Sequence, residues 1–410
     1  MRQPCRVRRL IAIALPGGPG FVEELRRAWD DGDAVLPIDL RLAPPARARL
    51  LESLRPARLI GPDHAVAELP GARPVEEGDA LVMATSGTTG EPKGVVLTHD
   101  AVAASARATS LRLGVDAGRD AWWACLPLSH IGGLSVVTRS LLGDVRCEVV
   151  AGFSEEGAVR ALSHGATLTS LVPTALRRLD PGVGAGFRRI VLGGQAPPAA
   201  LPSNVVATYG MTETGSGLVY GGHAIEGAAV RLVGGEVHVR GPMLFRCYRD
   251  GRDPKDSEGW FATGDAGALL GDGRLVVHGR LGDMIISGGE NIWPAAVEAV
   301  MAGHPALSDV AVAGVADLEW GERVVAYVVL ASGDRVLGDP ERGRLAGAGR
   351  VLGDPERGRL LAELRELVAA EIASYAAPRE IVIVDAIPRT ALGKVRRDRL
   401  ALLRPETLGG

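Results

Sequence analysis

The sequence predicts an α/β protein: a large N-terminal domain of mixed, largely parallel sheets with flanking helices and a small β-hairpin region, then a small, mobile α+β C-terminal domain. Three observations predict it. From Leu10 to about Gly210, short apolar runs of strand length alternate with amphipathic helical stretches, and that alternation builds parallel sheets covered on both faces. Near Gly221 the pattern changes to paired runs around Gly234-Gly235 and Asp272-Gly273, which read as hairpins. Beyond Arg280 come a helix, two strands and a long helix, enough for one small domain. A chain of 410 residues is too long for a single simple core. The expected domains are residues 1–281 and 282–410.

Taken in order, "LIAIAL" reads as a first strand and "FVEELRRAWDDG" as a helix stopped by glycine. "AVLPIDL" returns as a strand, "PPARARLLESLRP" as a helix with proline at its start, and "ARLIGPD" as a strand. A glycine-rich loop follows over Thr85–Gly94. "THDAVAASARATSLRLG" is then a helix with Thr98 or Asp100 as N-cap. "AWWACLPL" reads as a buried strand and "GGLSVVTRSLLG" as a buried helix. "CEVVAGF", "TLTSLVP", "RRIVLGG" and "NVVATYG" are further strands. In the C-terminal part "NIWPAAVEAVMAGHP" begins a helix, "SDVAVAGVAD" and "ERVVAYVVL" are strands, and a long helix covers Arg357 to Tyr375. Inside this part "RVLGDPERGRL" occurs twice, at Arg335–Leu345 and Arg350–Leu360. One tandem copy is not a solenoid. It reads as a local duplication in a surface loop, which tolerates insertion at small entropic cost.

Charge is nearly balanced, with 46 basic against 49 acidic residues and a net charge of −3. That leaves no basic footprint for nucleic acid and no polybasic membrane anchor. The apolar run after Arg8 and Arg9 ends at Pro16, too short for a signal peptide. No stretch is long and apolar enough for membrane insertion. The four cysteines form no CxxC pair and read as reduced thiols. The expected compartment is the cytoplasm, and the expected state a monomer or homodimer.

Five stretches carry the chemistry. "ATSGTTGEPKG", Ala84–Gly94, packs glycines, hydroxyls and Lys93 behind an apolar run, the composition of a polyphosphate cradle. It does not match GxxxxGK[ST], so the Walker-type fold is disfavoured. "ATYGMTETGSG" sets Tyr209 four residues before Glu213: a ring to stack on a heterocycle and a carboxylate for magnesium. "GWFATGDAG" holds Asp265 in a glycine-flanked turn, suited to ribose hydroxyls. "GRLGDMIISGGEN" supplies Arg280 and a glycine pair, and "PRTALGKVRR" isolates Lys394 on a glycine turn. Singly, each has an ordinary structural reading: a turn, a structural aspartate, a solvated lysine.

In this order and spacing the five resemble the adenylate-forming superfamily of acyl-CoA synthetases, peptide-synthetase adenylation domains and firefly luciferase. Within it, the short length, "LPLSHIGGL" and "TYGMTETGSGLVYGG" look most like the 2-succinylbenzoate–CoA ligases of menaquinone biosynthesis in their compact actinobacterial form. The resemblance implies ATP and Mg²⁺, with coenzyme A as cosubstrate and a small carboxylic acid as partner. It implies that Thr85, Ser86, Gly87, Thr88, Thr89, Gly90 and Lys93 bind the β- and γ-phosphates. Tyr209, beside Gly210 and Met211, would stack on adenine, flanked by Gly193, Gly194 and Gln195. Thr212 would touch the α-phosphate, Glu213 hold magnesium, and Asp265 and Arg280 hold the ribose. Lys394 would bridge the substrate carboxylate and α-phosphate. His130 would stand at the wall of the acyl pocket. Ser129, Gly215, Ser216, Arg139, Gly288 and Gly289 would face substrate or CoA, and Gly282 would be the hinge.

The chemistry accounts for these residue types. A carboxylate becomes an acyl donor once its oxygen attacks the α-phosphate and AMP becomes the leaving group. That attack joins two anions, so cationic stabilisation is the main need. CoA brings its own thiol, so no protein nucleophile is required. Arg139 lies in an otherwise apolar helix. Either it snorkels or pairs with a carboxylate such as Asp144, or it reads the second carboxylate of a dianionic acid. The chain departs from the family in its short N-terminal region, in glycine at 282 where aspartate is frequent, and in the duplicated segment. Another aryl- or fatty-acyl-CoA ligase and an adenylation module loading a carrier protein are the alternatives.

Overall fold

The structure, a computed structural model, describes residues 7–86, 92–198, 200–331, 354–390 and 393–403. Gly87, Thr88, Thr89 and Gly90 of the glycine-rich loop lie outside the described residues, as do the first copy of the repeat and the start of the second.

The chain opens as read: β1 (Leu10–Ile13), α1 (Pro19–Asp30), β2 (Ala34–Pro37), α2 (Pro44–Leu54) and β3 (Arg58–Ile60). Proline starts both helices, where its missing N–H costs nothing. A short strand, β4 (Val66–Glu68), follows; all three residues are exposed, so no apolar pattern announces it. Then come β5 (Asp79–Ser86), β6 (Pro92–Thr98) and α3 (His99–Leu113). The sequence reading leaves Pro92–Gly94 in a loop; in the structure they begin β6. The run Val95–Leu97 is buried and pairs antiparallel with β5, which carries Pro92, Lys93 and Gly94 into register with Ser86, Thr85 and Ala84. Thr98 is the N-cap, accepting from the Ala101 amide at 3.1 Å.

Next are β7 (Ala121–Ala124), α4 (Ile131–Gly143), β8 (Arg146–Val149), α5 (Glu155–Ser163), β9 (Leu168–Leu171), α6 (Pro173–Arg178), α7 (Pro181–Gly186), β10 (Arg189–Leu192), β11 (Val205–Met211), β12 (Ser216–Tyr220) and β13 (His223–Ala224). The expected hairpins follow as β14 (Ala229–Val233) with β15 (Glu236–Arg240), then β16 (Cys247–Tyr248), β17 (Phe261–Leu269) and β18 (Leu275–Arg280). The rest is β19 (Ile285–Ser287), β20 (Glu290–Ile292), α8 (Pro294–Met301), β21 (Leu307–Asp317), β22 (Gly321–Leu330), α9 (Asp354–Glu371), β23 (Glu380–Ile383) and α10 (Arg397–Leu400). Helix α9 ends at Glu371, short of the expected Tyr375, because Ala373 is extended and Ser374–Ala376 turn as a 3₁₀ segment before Pro378.

Among the described residues one seven-stranded sheet runs β16-β6-β5-β2-β1-β3-β4 and another β13-β12-β11-β10-β9-β7-β8. Their centres are parallel; both edges of the first sheet and the β12–β13 edge of the second are antiparallel, while the β7–β8 edge is parallel. Helix α3 touches β5 and β6 of the first sheet and β12 of the second, and packs against α4. Trp122 and Trp123 of β7 are fully buried, and Trp123 stacks on Phe187 with centroids 6.0 Å apart. A four-stranded sheet runs β14-β15-β17-β18, and β20-β19-β22-β21 form the last, with β23 joined to β22.

The chain divides into two compact units. One holds Met1–Arg231, His238–Thr263 and Leu269–Leu275; the other holds Leu232–Val237, Gly264–Ala268 and Val276–Gly410. The second has its own core, with Val297, Val312, Val324, Val328, Leu364 and Val368 at zero exposure.

Candidate active site

In the first unit two of the five motifs meet at one tyrosine. The β5–β6 hairpin carries Thr85 opposite Lys93, and the Lys93 Nζ lies 5.6 Å from the Tyr248 ring centre. The Tyr248 hydroxyl donates to Glu213 Oε1 at 3.1 Å, and the Phe245 amide donates to the Glu213 carbonyl at 2.8 Å. Lys93 and Glu213 therefore share a neighbour. Tyr248 escaped the sequence reading: it lies 35 residues beyond Glu213, on an edge strand with no motif of its own.

Glu213 sits in a 3₁₀ turn, Thr212–Thr214, between β11 and β12. Strand β12 carries one extra residue beside this turn: Tyr209 and Gly210 face Val219 and Gly217, and Leu218 between them bulges. A Cβ on Gly210 would lie 2.1 Å from the Ser216 carbonyl oxygen, so only glycine fits there. Met211 donates its amide to Thr214 Oγ1 at 2.9 Å, and Gly215 takes φ +66°. Tyr209 thus stands at the end of a parallel strand, with Thr212 and Glu213 just beyond it. Gly193, Gly194 and Gln195 follow the neighbouring strand β10, and Gly193 is bonded to the Leu171 carbonyl at 3.1 Å. Strand ends at such a point are where open α/β sheets take ligands.

Ser129 and His130 precede α4, with His130 as its N-cap residue. His130 Nε2 lies 3.5 Å from Asp39 Oδ2. Arg41 clamps the same carboxylate with two bonds of 2.8 Å. Burial would raise the Asp39 carboxyl, but the Arg41 bonds outweigh it and hold it below the usual carboxylate range. Asp39 is a second residue the sequence did not announce, since "PIDL" reads as a strand end.

Arg139 is buried, away from the surface that snorkelling requires: only 2% of it is exposed. Its Nη2 donates to Ser216 Oγ at 2.9 Å and its guanidinium carbon lies 5.8 Å from the Trp122 ring centre. No carboxylate among the described residues pairs with it, and its Nε and Nη1 are buried without a hydrogen-bond partner there. Asp144, the acid expected to pair with it, instead ends α4 in a left-handed conformation. A buried guanidinium with two unmet donors is costly unless an anion joins it.

In the second unit Asp265 is buried and Arg280 Nε lies 3.0 Å from its Oδ1, so these two ribose candidates come together. Gly288 and Gly289 form the two-residue turn of the β19–β20 hairpin, at φ +61° and +85°, as that turn type requires. Gly282 lies in a 3₁₀ turn, Leu281–Asp283, with open space where a side chain would be. Lys394 is exposed on a turn held at both ends. Its amide donates to Thr390 Oγ1 at 3.1 Å. Arg389 before it grips Asp309 at 2.6 and 3.2 Å. Arg397 after it donates to Glu298 at 2.6 Å. Burial raises the Glu298 carboxyl above its usual range despite Arg397.

The donor set suits magnesium rather than a structural metal. Among the described residues no group of three or more His, Cys, Asp or Glu converges on one point, whereas one carboxylate completed by nucleotide phosphates and water is a usual magnesium site.

Residues 62–234 match the model of the AMP-binding enzymes, and 296–394 match the AMP-binding enzyme C-terminal domain. A probable 2-succinylbenzoate–CoA ligase of Mycobacterium tuberculosis (strain CDC 1551 / Oshkosh) is 38% identical over 386 residues, 88% of this chain and 94% of the relative. A 2-succinylbenzoate–CoA ligase of Listeria monocytogenes serotype 4b (strain F2365) is 33% identical over 349 residues, 78% of this chain and 69% of the relative. Among solved structures, the o-succinylbenzoate CoA synthetase (MenE) from Bacillus subtilis in complex with the acyl-adenylate intermediate OSB-AMP superposes with TM-score 0.80 at 27% identity, covering 96% of this chain and 88% of that one. The same enzyme in complex with ATP and magnesium ion gives 0.79 at 27% identity, over 97% and 90%. The chain belongs to the AMP-binding enzyme family.

Proposed function

We propose that the protein is an ATP-dependent acid–CoA ligase whose acid is 2-succinylbenzoate. The carboxylate oxygen attacks the α-phosphorus, the α–β phosphoanhydride bond breaks, and pyrophosphate leaves. The CoA thiol then attacks the acyl carbon, gives up its proton and displaces AMP. The observation that carries the choice of acid is Arg139: a buried guanidinium without an acidic partner among the described residues suits the second carboxylate of a dianion. The relatives named as 2-succinylbenzoate–CoA ligases, 38% and 33% identical to this chain, support the same acid.

The residues take the following parts. Lys93, with Thr85 and Ser86 at the hairpin ends and Gly87, Thr88, Thr89 and Gly90 between them, holds the β- and γ-phosphates. Tyr209 stacks on adenine beside Gly210, Met211 and the Gly193–Gln195 loop. Thr212 donates to the α-phosphate. Glu213, steadied by Tyr248, holds magnesium, which when bound offsets phosphate charge. Asp265, oriented by Arg280, accepts from the ribose hydroxyls. Ser129, His130, Gly215 and Ser216 border the acyl group, and Gly288 and Gly289 border CoA. Lys394 meets the attacking carboxylate. Gly282 is the hinge between domains 1–281 and 282–410, and the enzyme works in the cytoplasm as a monomer or homodimer.

The test is pyrophosphate release across candidate acids, with and without CoA. 2-Succinylbenzoate should give the fastest release and, with CoA, a thioester detectable by mass. Release with other aryl or fatty acids but not with 2-succinylbenzoate overturns the choice of acid. Release without any CoA thioester overturns the ligase.

A further inference from the structure

Among the described residues the hydrogen-bond partners of Arg139 are hydroxyls alone. Its Nη2 donates to Ser216 Oγ at 2.9 Å and lies 3.5 Å from the Tyr220 hydroxyl. Both are backed from α3: Ser216 Oγ lies 3.0 Å from Ser105 Oγ, and the Tyr220 hydroxyl 3.0 Å from Thr109 Oγ1. The four are buried, none more than 4% exposed. Ser105 and Thr109 are one helical turn apart, on one face of α3. Ser216 and Tyr220 lie on β12 on either side of the irregularity at Leu218, and both hydroxyls reach the same Nη2. An arginine N–H only donates, so Ser216 and Tyr220 accept from Nη2, and each shares a second hydrogen bond with the hydroxyl of Ser105 or Thr109 in which either oxygen can donate.

The backbone at Ser216 is strained to serve this. Its φ is +153°, a region a side-chain-bearing residue rarely occupies. Thr214 Oγ1 lies 2.6 Å from the Ser216 carbonyl, and the missing side chain of Gly210 leaves room for that carbonyl. A carboxylate partner would orient Arg139 equally well but would cancel its charge. Neutral hydroxyls orient it and leave the charge, with Nε and Nη1, for another anion.

We infer that Ser105, Thr109 and Tyr220 are positioning residues for Arg139, and that through it they set selectivity for the dicarboxylate. This rests on the reading of Arg139 given above. The expected effect of losing one arm is about a fivefold rise in KM for the dianion, the size of one hydrogen bond.

The test compares Thr109→Val and Tyr220→Phe, which keep shape and lose a hydroxyl, with Thr109→Ser, which keeps the hydroxyl. Substrates are 2-succinylbenzoate and 4-oxo-4-phenylbutanoate, which lacks the ring carboxylate. Thr109→Val and Tyr220→Phe should raise KM for 2-succinylbenzoate about fivefold and leave the monocarboxylate and ATP values within about twofold. Thr109→Ser should behave as the parent, and both losses should vanish in an Arg139→Leu background. Equal losses for the two acids, or losses that persist without Arg139, overturn the inference. So does a selective loss in Arg139→Leu with none in the hydroxyl variants, and that outcome leaves the role of Arg139 standing. If Arg139→Leu itself is unselective, both fall together.

Discussion

Arg139→Leu should cost binding of the second carboxylate and little else. A charge-assisted bidentate contact is worth about 2–3 kcal/mol, so KM for 2-succinylbenzoate should rise by roughly 30- to 150-fold. The ATP value should stay put, and 4-oxo-4-phenylbutanoate should lose far less. Steady-state kinetics on both acids checks this; equal losses would make Arg139 a fold residue. The cysteines are a simpler case. Burial pushes the Cys125 and Cys147 thiols up to about 12. Both therefore stay protonated at pH 8, and the thiolate is the reactive form. Iodoacetamide at pH 8 should leave both unmodified in the native protein and label them once it is unfolded, as read by peptide mass.

Two elements are held by close contacts between distant segments. Gly94 on β6 looks like part of a phosphate cradle, yet a Cβ there would meet Leu54, Val82 and Arg249, each at 2.8 Å. Gly94→Ala should therefore destabilise the protein by about 1–3 kcal/mol through overpacking, measured as the shift in denaturant midpoint, whatever it does to ATP binding. A clamp joins the end of α3 to two strands of the second sheet. Arg188, just before β10, donates to Asp120 at 2.9 and 2.6 Å and to the Leu113 and Gly114 carbonyls. Thr167 Oγ1 donates to the same Asp120 carboxylate at 2.6 Å. Burial would raise the Asp120 carboxyl, but these bonds outweigh it and hold it below the usual range. Its folded pKa being depressed, the contribution is present above the unfolded value and lost as pH falls through the folded one. Asp120→Asn should cost about 1–2 kcal/mol at pH 7, since Arg188 is partly exposed. The gap from the parent should close as pH drops below the carboxylate range, in melts recorded from pH 7 down to pH 3.

At the scale of the whole molecule the proposed chemistry draws on both compact units: Glu213 belongs to one, Lys394 to the other. Adenylation brings a carboxylate against a polyphosphate and needs a cation at the meeting point. Thioester formation starts from a neutral carbonyl of the anhydride and has no such need. Lys394→Ala should therefore slow pyrophosphate release by roughly 10²–10³-fold while leaving thioester formation from supplied acyl-adenylate nearly intact. Parallel rapid-quench assays of the two half-reactions check it, and equal loss in both would remove Lys394 from a role confined to the first. Among the described residues no helix is long and apolar enough to cross a membrane.

The amino-acid sequence by itself determined the alternation of strand and helix, the hairpins at Gly234-Gly235 and Asp272-Gly273, a helix N-cap at Thr98 or Asp100, of which the structure chose Thr98, and the motifs that name the chemistry. Each of these is local: periodicity, turn chemistry and capping act within about a dozen residues, so they are legible in one dimension. Strand β6 was lost inside the glycine-rich stretch because its partner, β5, had to be paired with it before Pro92–Gly94 became extended. The tertiary structure alone decided which distant side chains share a neighbour. It set Tyr248 against Glu213, Asp39 against His130, and the hydroxyls of α3 and β12 around Arg139. Those contacts span tens of residues to more than a hundred, and no pattern in the sequence marks them. What selects them is the burial of polar groups: an arginine or a carboxylate taken out of water must find a partner wherever the packed elements bring one.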